Sequence, residues 1–166
     1  MCRISGTVGF TKEQALHILD YQKKGGPDLS KLQTVNDRVC FSHNLLSIIG
    51  HQEQPVSSDR YVMTFNGCWY DFKDYYPYAT SDTIALLMHF NAKGLEALKD
   101  VNGMFAIGLY DKLEEKIHLI VDRFGQKPIY YYHSGDKFAF ASNPAALYEL
   151  QDKWGLDRDA LQSYWL

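Results

Sequence analysis

Apolar and polar positions recur in short blocks along the chain, and the blocks set the expected elements. Ile4, Val8 and Phe10, with small or polar residues between them, predict an opening strand that ends at Thr11. Thr11 with Gln14 three residues on is a capping-box signature, and Ala15, Leu16, Ile18, Leu19 and Gln22 continue at approximate helical spacing. Lys23-Lys24-Gly25-Gly26-Pro27 then supplies basic last-turn residues, glycines and a stop. A polar loop is expected from there to about Asp37. Val39–Ile49 and Arg60–Phe65 read as strands separated by the turn-like Gly50–Pro55, with Asn66-Gly67 as a tight turn after the second. The aromatic stretch Trp69–Tyr78 has no clear period. Ser81 caps a helix carrying Ile84, Leu86, Leu87 and Phe90 that Gly94 closes, and a short helix covers Leu95–Lys99. Met104–Tyr110, Lys116–Val121, Ile129–Tyr132 and Lys137–Ala141 are four β-rich runs that predict one antiparallel meander. Pro144–Leu150 and Asp157–Trp165 close the chain as helices. Strands on both sides of a central helical stretch predict a layered α+β fold rather than an alternating parallel one.

Composition narrows the functional classes. The chain has 166 residues, 46% hydrophobic and 22% charged, which fits one folded domain with a sizeable core and excludes disorder. No window approaches the roughly 18 apolar residues of a membrane span. Lys and Arg number 17 against 20 Asp and Glu, without long single-sign runs, so neither nucleic acid nor an anionic membrane is an expected partner. The six histidines stand singly, which argues against a zinc site, and the aromatic cluster from Trp69 to Tyr78 has few basic neighbours for stacking nucleic acid. Three cysteines with no C-x-x-C pair fit a reducing compartment, and the start lacks a signal peptide, so a cytoplasmic location is expected.

Cys2 is the residue with the most chemistry to offer. A cysteine is often only a small buried hydrophobe. Removal of Met1, which the small Cys side chain permits, would leave one residue with both a thiol and a free α-amine. An α-amine titrates near working pH, so it can serve as general base toward its own thiol, and no His or Asp partner is needed.

Seven blocks in register then carry a family resemblance: Met1–Gly6, Gly26-Pro27-Asp28, Ser42–Ile49, Phe65-Asn66-Gly67, Ser81-Asp82-Thr83, Asn102–Ala106 and Asp122–Tyr131. Together they resemble the N-terminal glutaminase domain of asparagine synthetases, a class II glutamine amidotransferase of the N-terminal-nucleophile hydrolase superfamily. The resemblance runs from Cys2 to about Leu150, which divides the chain into a glutaminase-like domain at 1–150 and a helical tail at 151–166. It implies a four-layer αββα sandwich with two stacked, mostly antiparallel sheets. It also implies Cys2 as nucleophile, Asn66 and Gly67 as the oxyanion hole, and Asp82 as the carboxylate that holds the substrate's α-ammonium. By themselves Asn66-Gly67 would be a hairpin turn and Asp82 a first-turn acid favoured by the helix dipole.

Two departures fall in the implied glutamine pocket, whose remaining members are Leu45, Ser47 and Cys68. Leu45 stands where the family has the arginine that clamps the α-carboxylate, and Cys68 stands where it has a glutamate beside the α-ammonium. Gly25 replaces a further arginine before Gly26-Pro27-Asp28. Loss of a charge-assisted bidentate contact weakens affinity for glutamine, and Lys23, Lys24 or Arg38 are candidates to replace it. The alternatives are a catalytically degenerate interaction module and an amidohydrolase for another amide. The resemblance further implies a synthetase domain or subunit as partner. ATP and Mg would belong to that partner, since no Ser-Gly-Gly-x-Asp loop occurs here and no cofactor is expected for this chain. An apolar stripe of Leu156, Ala160, Leu161 and Trp165 would serve that partner or a homo-oligomer, or would dock the terminal helix on its own domain.

Overall fold

A computed structural model describes residues 2–48, 51–150 and 162–163. The first strand, β1 (Arg3–Val8), turns at Gly9 and enters helix α1 (Lys12–Tyr21) through the expected cap: Thr11 Oγ1 accepts from Gln14 N–H at 3.2 Å and Gln14 Oε1 from Thr11 N–H at 3.1 Å. A 3-10 turn at Lys23–Gly25 comes next. The expected loop beyond it is instead a strand, β2 (Leu29–Thr34), half-buried along most of its length and paired antiparallel with β3 (Val39–Leu45). Pairing with a fully buried neighbour supplies the ordering that its polar sequence does not advertise.

After the two-residue β4 (Val56–Ser57) comes β5 (Tyr61–Trp69), which passes straight through Asn66-Gly67. The expected turn is therefore absent, and both residues sit in an unbroken antiparallel register opposite Ala106 and Phe105 of β6 (Gly103–Asp111). The aromatic stretch holds one short helix, α2 (Phe72–Tyr75), and Ser81 caps α3 (Asp82–Lys93), with its Oγ accepting from Ile84 N–H at 3.2 Å. A 3-10 turn replaces the short helix expected after Gly94, and another covers Pro144–Leu150.

The four late runs form no single meander. β7 (Lys116–Val121) pairs with β6, whereas β8 (Tyr130–Ser134) and β9 (Lys137–Ala141) join β1. Two antiparallel sheets result, in the orders β2-β3-β1-β9-β8 and β4-β5-β6-β7. The chain changes sheets between β7 and β8. Ile4, Val39, Phe41, Val62, Ala106, Tyr110 and Phe140 fill the space between the sheets. Outside the five-stranded sheet, Ile18 of α1, Ala146 and Leu147 cover Ala139 and Ala141. Leu86 and Phe90 of α3 cover Met63, Phe65 and Leu109 on the outer face of the other sheet. These are the four layers of an α+β sandwich. No helix among the described residues is long and apolar enough to cross a membrane. The expected helix at Asp157–Trp165 lies outside the described residues except for Gln162 and Ser163, which are helical and exposed, and the expected strand end at Ile49 also lies outside them.

Candidate active site

Strand alternation decides which side chains can meet. Ile4 points between the sheets, so Cys2, two residues earlier, continues on that face, and the β1–β3 register sets it opposite Leu45. Its free, half-buried thiol is held by the next residue: Leu46 N–H donates to Cys2 Sγ at 3.3 Å.

The second sheet carries Asn66 on the face turned toward the first. On β5, Val62 packs in the inter-sheet core with Val39 and Phe41. Thr64 lies further along, with Oγ1 3.1 Å from His43 Nδ1 and donating to Ser42 O at 3.2 Å. β5 thus runs beside β3, and two residues after Thr64 strand alternation puts the side chain of Asn66 on the same inter-sheet face. Asn66 is 4% exposed, and its side-chain amide offers two N–H donors.

Gly67 supplies a second donor through its backbone. Phe65 N–H donates to Gln54 Oε1 at 2.7 Å and Trp69 N–H to Asp82 Oδ2 at 3.2 Å, so alternate N–H groups of β5 point away from β6. Gly67 lies between these two in the same unbroken register, and its N–H faces that edge where β4 no longer runs. A Cβ at Gly67 would collide with Met104 O and the Cα of Phe105, so only glycine permits this close approach to β6.

Asp82 opens α3. Its Oδ1 accepts from Thr83 N–H at 2.8 Å, in addition to the Trp69 bond. Burial pushes its carboxyl pKa up, and the backbone hydrogen bonds only partly counter this. Cys68, on the Asn66 face of β5, has its thiol pushed up by burial and then by the charge of Asp82, which keeps it protonated.

The segment after β3 ties these parts together. Exposed Ser47 donates its N–H to Asp28 Oδ2 at 2.7 Å and holds His51 Nδ1 at 3.0 Å from its hydroxyl. Ser81 Oγ donates to Gln52 Oε1 at 3.3 Å, and Gln54 Nε2 donates to Phe65 O at 3.0 Å. Gln54 thereby serves both backbone groups of Phe65, and the segment runs from beside Cys2 to the cap of α3.

Leu45 is buried and offers no charge. The suggested replacement Arg38 sits beyond the opposite end of β3 and is paired with Asp136 Oδ2 at 2.8 Å, which removes it as an anchor. Lys23 and Lys24 are exposed in the 3-10 turn after α1, and Gly26 after that turn packs on the backbone of Asn44 and Leu45. Arg3 is not marked by the sequence: it points to that outer side, and its aliphatic stem and Nε occupy the space over Gly25. His43 is likewise unmarked as an individual. It is 1% exposed, burial lowers its pKa to about 3, and its Nε2 has no partner among the described residues. Nothing in the sequence distinguishes it apart from its place in a longer block.

Comparisons with known proteins give the family and the fold. A family model described as "Glutamine amidotransferase domain" matches residues 1–166. Asparagine synthetase [glutamine-hydrolyzing] 2 of Bacillus subtilis is 28% identical over 190 residues, covering 100% of this chain and 25% of its own length. Asparagine synthetase [glutamine-hydrolyzing] 1 of the same organism is 32% identical over 142 residues, covering 78% of this chain and 22% of its own length. The chain thus spans only a fraction of these relatives. Among solved structures, glutamine phosphoribosylpyrophosphate amidotransferase from B. subtilis superposes with a TM-score of 0.71 at 14% identity, covering 88% of this chain and 43% of that one. That likeness concerns the fold, and it matches the two stacked antiparallel sheets. The chain belongs to the glutamine amidotransferase domain family represented in asparagine synthetases.

Proposed function

We propose that this chain hydrolyses a glutamine side-chain amide with Cys2 as nucleophile and passes the ammonia to a synthetase domain or subunit. The observation that supports the reading is the contact between the sheets that hold Cys2 and Asn66, His43 of β3 with Thr64 of β5, beside the Cys2 thiol held on Leu46 and two residues before Asn66. With Met1 removed, the α-amine of Cys2 takes the thiol proton and the thiolate attacks the side-chain carbonyl carbon. The carbonyl oxygen becomes an oxyanion that accepts from Asn66 Nδ2 and Gly67 N. Collapse breaks the C–N bond, the ammonium returns its proton to the leaving nitrogen, and ammonia departs. A γ-glutamyl thioester remains. Water then attacks it, with the amine again as base, to release the carboxylate and the thiol. Asp82, partly buried at the helix N-terminus, is the acceptor for the substrate ammonium. A synthetase would consume the ammonia, in keeping with the relatives, which are longer proteins named for that reaction.

The test is ammonia release from glutamine by the Met1-processed protein. Cys2→Ala is expected to fall to background and Asn66→Ala to lose about 100-fold to 1,000-fold in kcat, the range for one oxyanion donor. Activity that survives Cys2→Ala would contradict the reading.

A further inference from the structure

The face that carries Cys2 and Asn66 is poor in positive charge. Leu45, opposite Cys2, is apolar and buried, and Cys68 is a protonated thiol. The carboxyl groups of this region are Asp82 at the start of α3 and Asp28 behind Ser47, and neither offers a positive charge. From Leu45 to Gln54 the sequence holds no Lys or Arg. Four cations of the neighbouring elements are committed or turned away. Lys31 is paired with Glu53 at 2.9 Å, Lys73 donates to Pro77 O and Ala79 O, Arg38 is at the far end of β3, and Arg3 covers Gly25 on the helix side. Lys23 and Lys24 are exposed on the 3-10 turn after α1, and on the Leu45–Gln54 segment itself the group able to carry positive charge is His51, exposed on the hydroxyl of Ser47 with Glu53 two residues away.

A ligand complementary to such a face brings an ammonium and no carboxylate. Free glutamine brings both on one carbon, so docking its ammonium on Asp82 would carry a carboxylate into a region without a matching donor. That burial is costly. A glutamine whose α-carboxyl is already in an amide bond brings the same ammonium with a neutral carbonyl. The rim also has an apolar surface for a second residue attached to that carbonyl, since Ile48 is 75% exposed beside Ser47.

We propose that the amide donor preferred by this pocket is a glutaminyl compound with a free α-amine and a neutral α-carboxyl, as in the first residue of a peptide. The inference rests on the reading that Cys2 attacks a side-chain amide. The bonds made and broken are those of the hydrolysis above: water replaces the side-chain nitrogen, ammonia leaves, and the α-amide bond stays intact.

Ammonia release from free glutamine, glutamine α-methylamide and Gln-Gly is compared at one pH with the same Met1-processed preparation, with an N-acetylated Gln-Gly as control. The two neutralised compounds are expected to exceed glutamine in kcat/KM by about tenfold or more, the ratio for ~1.4 kcal/mol. The acetylated control should not turn over, and Leu45→Arg should shift the preference back toward glutamine. Gln-Gly exceeding the methylamide identifies a peptide as the source, and equality identifies small amides. Glutamine turning over as well as the others overturns the inference and leaves the hydrolase reading standing. So does a His51→Ala variant that raises KM for glutamine alone, because His51 would then be the carboxylate anchor. Failure of all three compounds overturns both.

Discussion

His43 ties the two sheets together through one side chain. It reaches from β3 to Thr64 on β5 directly beneath the proposed site, and its burial disfavours the charged form so strongly that its pKa falls to about 3. Between that value and the ordinary one near 6.5 the unfolded chain binds a proton that the folded chain refuses, so stability rises with pH across this window and falls on acidification through it. The full shift corresponds to on the order of 5 kcal/mol. Urea unfolding at pH 7 and pH 4.5 is expected to show a marked loss for the wild type and a shallower one for His43→Gln, whatever the variant's stability at neutral pH. Equal slopes would mean that His43 is not held neutral. Single residues are readable in the sequence where their own chemistry is distinctive: Cys2, Asn66, Gly67 and Asp82 are nameable from type and family blocks. The importance of His43 and Arg3 depends on their surroundings, and those come from pairings between distant segments that no local window contains.

The elements show which local signals tertiary structure overrides. Thr11 and Ser81 cap their helices as the sequence suggests, because capping is settled within three residues. Asn66-Gly67 carries a hairpin signal, yet the small size of Gly67 serves a different end, the close passage of β5 over Met104 and Phe105. The polar segment Leu29–Thr34 becomes a strand through its partner β3. The four late β runs look alike in sequence and part company at Asp122, whose carboxylate accepts from the N–H groups of Phe105, Phe124 and Gln126 at 3.1, 2.9 and 3.0 Å. Burial pushes that carboxyl pKa up, but the three N–H bonds outweigh it and hold it below the usual carboxylate value. Its contribution is therefore present above the ordinary carboxylate pKa and lost as pH falls through the depressed one. Asp122→Ala leaves three donors without an acceptor at the crossing between sheets and is expected to cost about 3 kcal/mol. Asp122→Asn should cost less. Denaturant midpoints decide this, and an unchanged midpoint for the alanine variant would show that the crossing holds by other contacts.

Across the sandwich as a whole, one ring packs against glycines of both sheets. Phe140 fills the space over Gly6 in its own sheet and over Gly108 in the other, and a Cβ at either glycine would collide with it. Gly108→Ala is expected to destabilise by about 1–3 kcal/mol, the range for overpacking, and Phe140→Leu in the same chain should recover part of that. Sheet spacing matters to the chemistry because Cys2 hangs from one sheet and Asn66 and Gly67 from the other. The α+β class is legible in strand and helix order alone, and the sandwich in the family resemblance. Which run joins which sheet is not, since it depends on long-range pairing. Attack by Cys2, with its α-amine free, is the step on which the proposed chemistry stands. It is tested by incubating the protein with a diazoketone analogue of glutamine and locating the adduct by peptide mass spectrometry. One adduct on Cys2, with Met1 absent and with Cys40 and Cys68 unmodified, is the expected result. An adduct on Cys68, or a processed Cys2 that stays unmodified, would contradict it.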